Sequence, residues 1–243
     1  MNAKSLKGDL MKRVLITGVS SGLGEALCEL FLSSGAEVYG FSRRQQRKFD
    51  HYENFHFNHC DLSEPFLIDD AIKELLTDVH HLDLVILNAG VLGEIKDLDQ
   101  LSVFEMKEVM EVNVWANKQL LDAIYKFHIV VDQVVAVSSG ASVNGSKGWG
   151  AYSLSKAALN MLMKVFSSER PQTHFSAIAP GLIETYMLQH IIENVDPLAF
   201  PSVKRIKESP RQRPYEAAQR FYECMELVRK QYESGSFVDM RKF

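Results

Sequence analysis

The stretch RVLITGVSSGLGEALCELFLSSG, residues 13–35, decides the fold of this chain. It begins with a short apolar run rich in β-branched residues, which is typical of a strand buried on both faces of a parallel sheet. Apolar residues at helical spacing follow and end at Gly35, a residue type that commonly terminates helices. A glycine-rich turn separates the two patterns. The stretch therefore predicts a strand that passes through a tight turn directly into a helix.

The turn TGVSSGLG, residues 17–24, has the composition of a phosphate-binding loop. Glycines let the backbone approach a ligand, and the N-terminus of the following helix offers unpaired N–H groups to a pyrophosphate. A glycine-rich turn alone is weak evidence, because glycines also end strands for steric reasons. Its position between strand and helix favours a dinucleotide. The cofactor-binding residues predicted in this turn are Gly18, Ser20, Ser21, Gly22, Leu23 and Gly24.

The alternation of short apolar strands and helical patterns continues along the chain. Further strands are predicted at residues 36–42, 54–62, 82–90, 132–139, 174–181 and 236–240. We expect an α/β fold, a single doubly wound (Rossmann) domain over residues 1–243 with a seven-stranded, mainly parallel sheet flanked by helices on both faces. Residues 1–11 are predicted to be a flexible N-terminal extension. The proline-rich residues 183–213 interrupt the alternation and are predicted to form a substrate lid.

Composition and charge argue against several classes of protein. The chain has 46% hydrophobic and 24% charged residues, which is typical of a globular protein with a sizeable core. A net charge of −4 argues against a partner nucleic acid and against a polybasic membrane surface. The N-terminus has no apolar segment of a signal peptide, and the apolar run at residues 82–93 is far shorter than the roughly 20 residues of a membrane span. Three scattered cysteines indicate reduced thiols, so we expect a cytoplasmic protein.

The end of the second predicted strand discriminates between NAD and NADP. In nicotinamide sites an acid about 20 residues beyond the glycines binds the ribose 2′-hydroxyl, whereas an arginine suits a 2′-phosphate. Here the strand runs into Ser42, Arg43 and Arg44, and a guanidinium can pair bidentately with phosphate. The alternative is a pair of solvated arginines at the start of a loop. The sequence therefore favours NADP(H) as the cofactor.

The next two strand ends carry further candidate cofactor contacts. The third strand ends in CDL, where Asp61, followed by Leu62, is placed to accept a hydrogen bond from the adenine amino group. The fourth strand ends in Asn88, Ala89 and Gly90, which are small enough to leave room for the adenosine ribose.

A tyrosine and a lysine four positions apart dominate the stretch GWGAYSLSKAALNML, residues 148–162. On a helix, Tyr152 and Lys156 would be neighbours one turn apart. A free phenol has a pKa of about 10, too high for easy proton exchange near neutral pH, and an adjacent ammonium would lower it. Ser139, leaving the fifth strand, would donate to a substrate oxygen, with Ser138 as the nearest rival. The alternative is an ordinary surface Tyr–Lys pair.

Four motifs in register resemble the short-chain dehydrogenase/reductase family over nearly the whole chain. They are TGxxxGxG at residues 17–24, NAG at residues 88–90, Ser-x12-Tyr-x3-Lys ending at Lys156, and PGxxxT at residues 180–185. The resemblance implies a catalytic set of Asn113, Ser139, Tyr152 and Lys156, in which Asn113 holds a water that links Lys156 to solvent. It also implies that Tyr152, Lys156, Pro180, Gly181, Ile183 and Thr185 contact the cofactor.

A narrower resemblance is to the sepiapterin reductase and benzil reductase branch of that family. It implies an NADPH-dependent reductase of a small-molecule carbonyl: a dicarbonyl, an aromatic ketone or a pterin side-chain ketone. The branch implies that Asp239 anchors the substrate, although a structural role for Asp239 is equally open. Leu92, Tyr186 and Phe200 are candidate pocket walls. The substrate-binding residues are predicted to be Ser139, Tyr152, Trp149, Met187 and Asp239.

Two other functions fit parts of the sequence. One is a non-catalytic protein that senses NADP, against which the intact Ser139, Tyr152 and Lys156 argue. The other is an NAD-dependent alcohol dehydrogenase, against which the missing acid after the second strand argues. The family resemblance also implies a homodimer or homotetramer built from the two long helices that carry Asn113 and Tyr152.

A group of histidines at residues 51–60 suggests a metal site at first sight. Side chains alternate between the faces of a strand, so His56 and Cys60 would point away from His59. With no second pair of ligands nearby, no metal is expected.

Overall fold

The computed structural model of this chain describes residues 12–45 and 47–243. Seven parallel strands form one sheet in the order β3-β2-β1-β4-β5-β6-β7, which confirms the predicted doubly wound α/β class. The predicted flexible extension at residues 1–11 lies outside the described residues. The strands are β1 (Arg13–Thr17), β2 (Glu37–Ser42), β3 (Phe55–His59), β4 (His81–Leu87), β5 (Val130–Val137), β6 (His174–Ala179) and β7 (Ser236–Asp239).

Strand β1 lies between β2 and β4 in the interior of the sheet and is buried on both faces. Val14, Leu15 and Ile16 have no exposed surface. Val14 and Ile16 belong to one hydrophobic cluster, and Leu15 belongs to the cluster on the opposite face. This alternation explains why a continuous apolar run, rather than an apolar–polar pattern, marks a strand here.

Helices cover both faces of the sheet. Helices α1 (Gly22–Ser33) and α8 (Pro214–Gln231) pack together over one face, where Phe31, Phe221 and Met225 are fully buried. The opposite face is covered by α2 (Ile68–Leu75), α4 (Ala116–Lys126) and α5 (Gly150–Glu169). None of the helices in residues 12–45 and 47–243 is both long and apolar enough to cross a membrane.

The predicted long helix that carries Asn113 is interrupted. It consists of α3 (Val103–Met110), a π-helical turn (Glu111–Trp115) and α4. Ser102 and Glu105 close α3 at its N-terminus with a reciprocal capping box. A π turn accommodates an extra residue in a helix and changes which side chains face the core. Asn113 lies within this turn.

The proline-rich stretch at residues 183–213 contains two short helices, α6 (Tyr186–Asn194) and α7 (Pro201–Glu208). Its two ends are joined, because Ile183 and Gln212 form a parallel β-bridge. The N–H of Gln212 donates to Leu182 O at 3.0 Å, and the N–H of Glu184 donates to Gln212 O at 2.9 Å. The segment therefore leaves and re-enters the domain at one point.

Candidate active site

The direction in which strands are added reverses between β1 and β4, and their carboxyl ends are tied together. Thr17 Oγ1 accepts hydrogen bonds from the N–H groups of Asn88 and Ala89, each at 3.0 Å. Asn88 Nδ2 donates in return to Thr17 O at 2.9 Å. Ligands of open α/β sheets bind in the crevice at such a switch point. Thr17 is the first residue of the glycine motif, and only the folded chain shows that it ties β1 to β4.

The glycine turn forms a cradle of bare backbone at this crevice. Gly18 and Gly22 have φ values of +76° and +61°, which L side chains rarely adopt. Ser21 at the N-cap of α1 makes no side-chain capping hydrogen bond, so the first-turn N–H groups remain suited to an anion. A Cβ at Gly24 would lie 2.3 Å from both Asn88 Nδ2 and Gly18 O. Gly24 is therefore required for close packing of α1.

A cleft of about 1560 Å³ extends from the glycine turn along the carboxyl edge of the sheet. Among the predicted site residues, Gly24, Asn113 and Asp239 do not line it. The predicted residues that do line it are Gly18, Ser20, Ser21, Gly22, Leu23, Ser42, Arg43, Arg44, Asp61, Leu62, Asn88, Ala89, Gly90, Ser139, Trp149, Tyr152, Lys156, Pro180, Gly181, Ile183, Thr185 and Met187. The cleft thus brings together residues from six strand ends and from the start of α5.

Arginines lie at the β2 end of this cleft. Arg43 and Arg44 are exposed, and the buried Ser42 Oγ donates to Arg44 O at 2.6 Å, which fixes the turn that carries them. Burial raises the pKa of Asp61, but hydrogen bonds from Ser63 and the charge of Arg43 outweigh it and hold that pKa below its usual range. This end of the cleft presents fixed cationic groups that suit a phosphate.

Helix α5 places Tyr152 and Lys156 on one face, as the sequence predicts. Lys156 is 3% exposed, and its Nζ lies 5.7 Å from the centroid of the Tyr152 ring. Lys156 Nζ donates to Val137 O at 2.8 Å, which ties α5 to the end of β5. Burial lowers the pKa of Lys156 to about 8. The lysine therefore changes charge close to neutral pH.

In the chain without a cofactor, the pKa of Tyr152 is raised and not lowered. Burial raises the pKa of Tyr152 above its ordinary value, and a side-chain hydrogen bond with Ser139 only partly opposes this. Lys156 Nζ lies 5.7 Å from the centroid of the Tyr152 ring and donates to Val137 O. That Lys156 favours the ionised phenol stays a prediction. Tyr152 is accordingly a phenol that stays protonated at neutral pH.

The two candidate serines at the end of β5 have different partners. Ser138 is buried, and its Oγ donates to Asn160 Oδ1 at 2.6 Å. Asn160 Nδ2 donates to Ser142 Oγ at 2.9 Å, and that hydroxyl donates to Ser139 O at 2.7 Å. Ser139 instead directs its side chain towards Tyr152. Asn160 lies one helical turn beyond Lys156, on the same face of α5 as Tyr152, and no sequence motif marked it. Its hydrogen bonds with Ser138 and Ser142 hold the serine loop, residues 138–142, against α5.

Asn113 is fully buried in the π turn, beside the cleft. Its Oδ1 accepts from Val91 N at 2.8 Å, and its Nδ2 donates to Val91 O at 2.9 Å and to Ser155 Oγ at 3.0 Å. A Cβ at Gly90 would lie 3.1 Å from Asn113 Oδ1 and 3.4 Å from Lys156 Nζ. The side chain of Asn113 thus fixes the loop after β4 against α5, and the expected water-holding role stays a prediction.

The start of α5 contacts the segment at residues 183–213. Trp149 is 8% exposed, and its Nε1 donates to Ser202 Oγ of α7 at 2.7 Å. Leu92, Met187 and Phe200 pack in the same small cluster, together with Tyr152. Tyr186 also lines the cleft but is 82% exposed. The candidate pocket walls are therefore brought together over Tyr152.

Asp239 lies beneath Arg241 at the end of the last strand. The Asp239 carboxylate accepts from the N–H of Arg241 at 3.0 Å and from its Nε at 2.9 Å. The hydrogen bonds from the Arg241 side chain lower the pKa of Asp239. Arg241 lines the cleft, whereas Asp239 does not. No pattern in the sequence marked Arg241, because it follows the final strand outside any motif.

Histidines and acids form pairs elsewhere in the molecule. His56 Nε2 lies 2.6 Å from Glu37 Oε2, so it is partnered. His81, Asp83 and Asp132 place ligand atoms within 4.8 Å of one another at the opposite end of the sheet from the cleft. Asp83 Oδ2 there accepts the N–H groups of Lys12 and Arg13, at 3.0 and 2.8 Å. These two hydrogen bonds give the Asp83 carboxylate partners within the protein.

Comparison with known proteins identifies relatives of this chain. It is 31% identical over 203 residues to benzil reductase ((S)-benzoin forming) IRC24 of Saccharomyces cerevisiae, covering 76% of this chain and 77% of that protein. The crystal structure of the short chain dehydrogenase/reductase YIR035C, also from Saccharomyces cerevisiae, matches with a TM-score of 0.84 and 24% identity, over 94% of this chain and 96% of that one. A short chain dehydrogenase from Escherichia coli CFT073, complexed with NADPH, matches with a TM-score of 0.78 and 23% identity, over 96% and 98% of the two chains.

The family profile described as short chain dehydrogenase matches residues 12–196. That range spans the glycine turn, the serine loop and the Tyr152–Lys156 helix, so the match and the geometry concern the same residues. The chain is an oxidoreductase that belongs to the short chain dehydrogenase family.

Proposed function

We propose that this protein is an NADPH-dependent carbonyl reductase in which Tyr152 donates the proton. The observation that carries the proposal is the position of Tyr152 in the cleft, hydrogen-bonded to Ser139 and packed over the buried Lys156. A hydroxyl pair at the wall of a dinucleotide-sized cleft is suited to bind a carbonyl oxygen and to protonate it.

The residues of the cleft divide the reaction between them. When bound, NADPH supplies the hydride that the carbonyl carbon gains. The hydroxyls of Ser139 and Tyr152 hold the carbonyl oxygen, and Tyr152 gives that oxygen its proton as negative charge develops there. Its raised pKa keeps the phenol protonated before the reaction. Lys156, when charged, stabilises the phenolate that remains and is placed to bind the nicotinamide ribose hydroxyls.

The cleft fits a dinucleotide phosphate. Gly18 and Gly22 supply bare backbone for the pyrophosphate, and the N-terminus of α1 lies beside it. Arg43 and Arg44 are the groups that would bind a 2′-phosphate, with no acid at the end of β2 to repel it. The NADPH bound to the related fold from Escherichia coli is consistent with this assignment. Asp61 remains the candidate partner of the adenine amino group.

The substrate proposed is a dicarbonyl, an aromatic ketone or a pterin side-chain ketone. Relatives that bear the name benzil reductase support the dicarbonyl class. Trp149, Met187 and Tyr186 offer apolar and aromatic walls at the substrate end of the cleft. We propose that residues 183–213 act as the lid. The intact Ser139, Tyr152 and Lys156 argue against a non-catalytic NADP sensor, and the arginines after β2 argue against an NAD-dependent alcohol dehydrogenase.

An absorbance assay of NADPH consumption tests this function. Benzil, sepiapterin and simple ketones are each offered to the wild type and to Tyr152→Phe. We expect loss of turnover in Tyr152→Phe with NADPH affinity retained, because the phenyl ring keeps the packing but has no proton to give. Tyr215→Phe, an exposed tyrosine outside the cleft, is the matched control. Equal turnover in the wild type and Tyr152→Phe would contradict the proposal.

We further propose that the protein is a cytoplasmic homodimer or homotetramer. Apolar side chains are exposed on one side of α5 and on the neighbouring π turn. Trp115 is 50% exposed, Leu154 50%, Met161 57% and Val165 46%. Such a stripe favours a partner surface of the same kind. The buried free thiols of Cys28, Cys60 and Cys224 suit a reducing compartment.

A further inference from the structure

The two halves of the chain give the cleft different charges. The acids that line it, Asp61, Glu64, Glu108 and Glu111, all come from the first half. Within residues 137–243 the lining has no carboxylate. That part of the lining has two guanidiniums in addition to Lys156: those of Arg205 and Arg241. The part of the lining that includes Ser139 and Tyr152 therefore contributes basic groups and no acid.

Arg241 is held in a fixed orientation by Asp239. Its Nε lies 2.9 and 3.2 Å from the two carboxylate oxygens, and its Nη2 lies 2.5 Å from Asp239 Oδ2. The side chain of Asp239 is only 8% exposed, whereas that of Arg241 is 60% exposed. The acid is thus covered by the guanidinium, and the positive end of the pair faces solvent and the cleft.

The pairing with Asp239 leaves donors of Arg241 available. A guanidinium has five N–H groups in a planar fork, and Asp239 occupies only its Nε–Nη2 edge. In the part of the chain that the structure describes, no hydrogen bond from Nη1 to the protein is present. The remaining Nη1–Nη2 edge has the spacing that matches a carboxylate bidentately.

The guanidinium lies next to the proposed reaction centre. A Cβ at Gly140, the residue after Ser139, would lie 2.7 Å from Arg241 Nη2. A Cβ at Gly181 would lie 3.3 Å from Arg241 Cγ. The absence of a side chain at both glycines makes the space that Arg241 fills. Because Gly140 directly follows Ser139, the guanidinium lies beside the loop that carries the Ser139 hydroxyl.

Arg205 adds positive charge from the opposite side of the same loop. It lies on α7, and its Nη2 donates to Ser146 Oγ at 3.2 Å. Ser146 belongs to the loop between β5 and α5, as does Gly140. Arg205 from the proposed lid and Arg241 from the C-terminal residues thus each place a guanidinium beside the loop that begins with Ser139.

We propose that the cleft selects ketones that carry a carboxylate next to the carbonyl group, and that Arg241 binds this carboxylate. Asp239 is then a positioning residue for Arg241 and not the substrate anchor. The inference rests on the proposed carbonyl reduction and names its substrate class. The carboxylate takes no part in the bond changes: the ketone carbon gains a hydride and its oxygen a proton, which yields a 2-hydroxy acid from a 2-oxo acid.

A matched pair of substrates tests this inference. Phenylglyoxylate and its methyl ester have the same ketone and ring and differ in charge. For the wild type with NADPH, we expect kcat/KM to be about tenfold or more higher for the acid, the range of a charge-assisted hydrogen bond. Arg241→Gln should lose this preference and keep turnover of the ester, which shows that the variant is folded. Lys242→Gln, which removes the neighbouring exposed charge, should behave as the wild type.

A binding measurement provides a second readout that does not require turnover. Mandelate, the 2-hydroxy acid, is titrated calorimetrically into the protein in the presence of NADP⁺. We expect binding to the wild type, about tenfold weaker binding to Arg241→Gln, and an intermediate loss for Asp239→Asn, in which the guanidinium is less firmly oriented.

The outcomes separate the two proposals. Reduction of the ester at the same kcat/KM as the acid, unchanged in Arg241→Gln, would overturn the inference and leave the reductase intact. Reduction of neither ketone, nor of benzil or sepiapterin, would overturn the proposed function. In that case, mandelate binding that depends on Arg241 would still support the carboxylate site, and its absence would overturn that site as well.

Discussion

Lys156 is buried with a carbonyl oxygen as its partner, and none of the residues that the structure describes places a carboxylate beside it. A buried ammonium without an opposite charge loses its proton more easily than one in water, so its pKa falls to about 8. Tyr152 shifts in the opposite direction for the same reason, because burial also disfavours the charged phenolate. At neutral pH, Tyr152 is therefore a phenol that holds its proton, and Lys156 is an ammonium group that is close to losing its proton.

The pKa of Lys156 predicts how NADPH affinity depends on pH. The lysine is charged below about pH 8 and neutral above it, so its bonds to the cofactor weaken as the pH rises through that value. We expect the Kd for NADPH, measured by fluorescence titration between pH 6.5 and 9.5, to increase with a midpoint near pH 8. Lys156→Met should bind more weakly at all pH values without this midpoint. A midpoint that persists in Lys156→Met would assign it to another group.

Asn160 predicts a kinetic effect without contact with the substrate. Asn160→Ala removes the partner of Ser138 and of Ser142, so the loop that carries Ser139 loses its support. We expect kcat to fall on the order of tenfold to a hundredfold, because small misplacements of a reacting group are costly, while the Kd for NADPH stays unchanged. Lys164→Ala, exposed one turn further along α5, is the control. An unchanged kcat in Asn160→Ala would show that the serine loop needs no such support.

At the scale of elements, the strands and the glycine turn were predictable from the sequence, and the π turn was not. The strands of a doubly covered parallel sheet are short apolar runs, and β1 and β4 show this pattern clearly. The π turn at Glu111–Trp115 contains no glycine or proline that would mark it in the sequence. It is accompanied by buried hydrogen bonds of Asn113 to Val91 and Ser155, which form only in the folded chain. Arg241 escaped prediction similarly, because only the folded chain brings the last strand beside Gly140.

The capping box of α3 predicts a measurable loss of stability. In Ser102→Ala the Glu105 N–H loses its acceptor and the Glu105 carboxylate loses the Ser102 hydroxyl. We expect a decrease of about 1 kcal/mol in the free energy of unfolding, measured by urea denaturation, with little effect on activity because neither residue lines the cleft. Ser102→Asn, which retains a capping acceptor, should restore most of the loss. A capping role would be contradicted if both variants were equally stable.

At the scale of the whole molecule, the cleft is assembled from the ends of strands that are distant in sequence. The positions of its lining were largely predictable, because the carboxyl ends of parallel strands meet at one edge of the sheet. The basic groups of its substrate end were not, since Arg205 and Arg241 lie in segments without a sequence signature. The sequence therefore predicts the cofactor end of the cleft better than the substrate end.

The exposed apolar stripe predicts association of the chain with itself. Met161→Glu places a charge in the middle of the stripe formed by Leu154, Met161 and Val165 on α5. We expect the wild type to sediment as a dimer or tetramer in analytical ultracentrifugation, and Met161→Glu to shift towards the monomer. Lys164→Glu, on the same helix but already polar, should leave the assembly unchanged. A wild type that sediments as a monomer would contradict the proposed oligomer.

The bridge between Ile183 and Gln212 makes the intervening segment a unit that can be replaced as a whole. Because both ends are joined at one place on the domain, insertions and deletions beyond Thr185, which packs against Gly22 of the glycine turn, can leave the sheet and the dinucleotide cradle unaltered. Sequence changes within this one segment can thus alter the substrate preference without changing the rest of the fold. Grafting the corresponding loop of a relative between Thr185 and Gln212, with both residues kept, should transfer substrate preference and leave cofactor affinity unchanged.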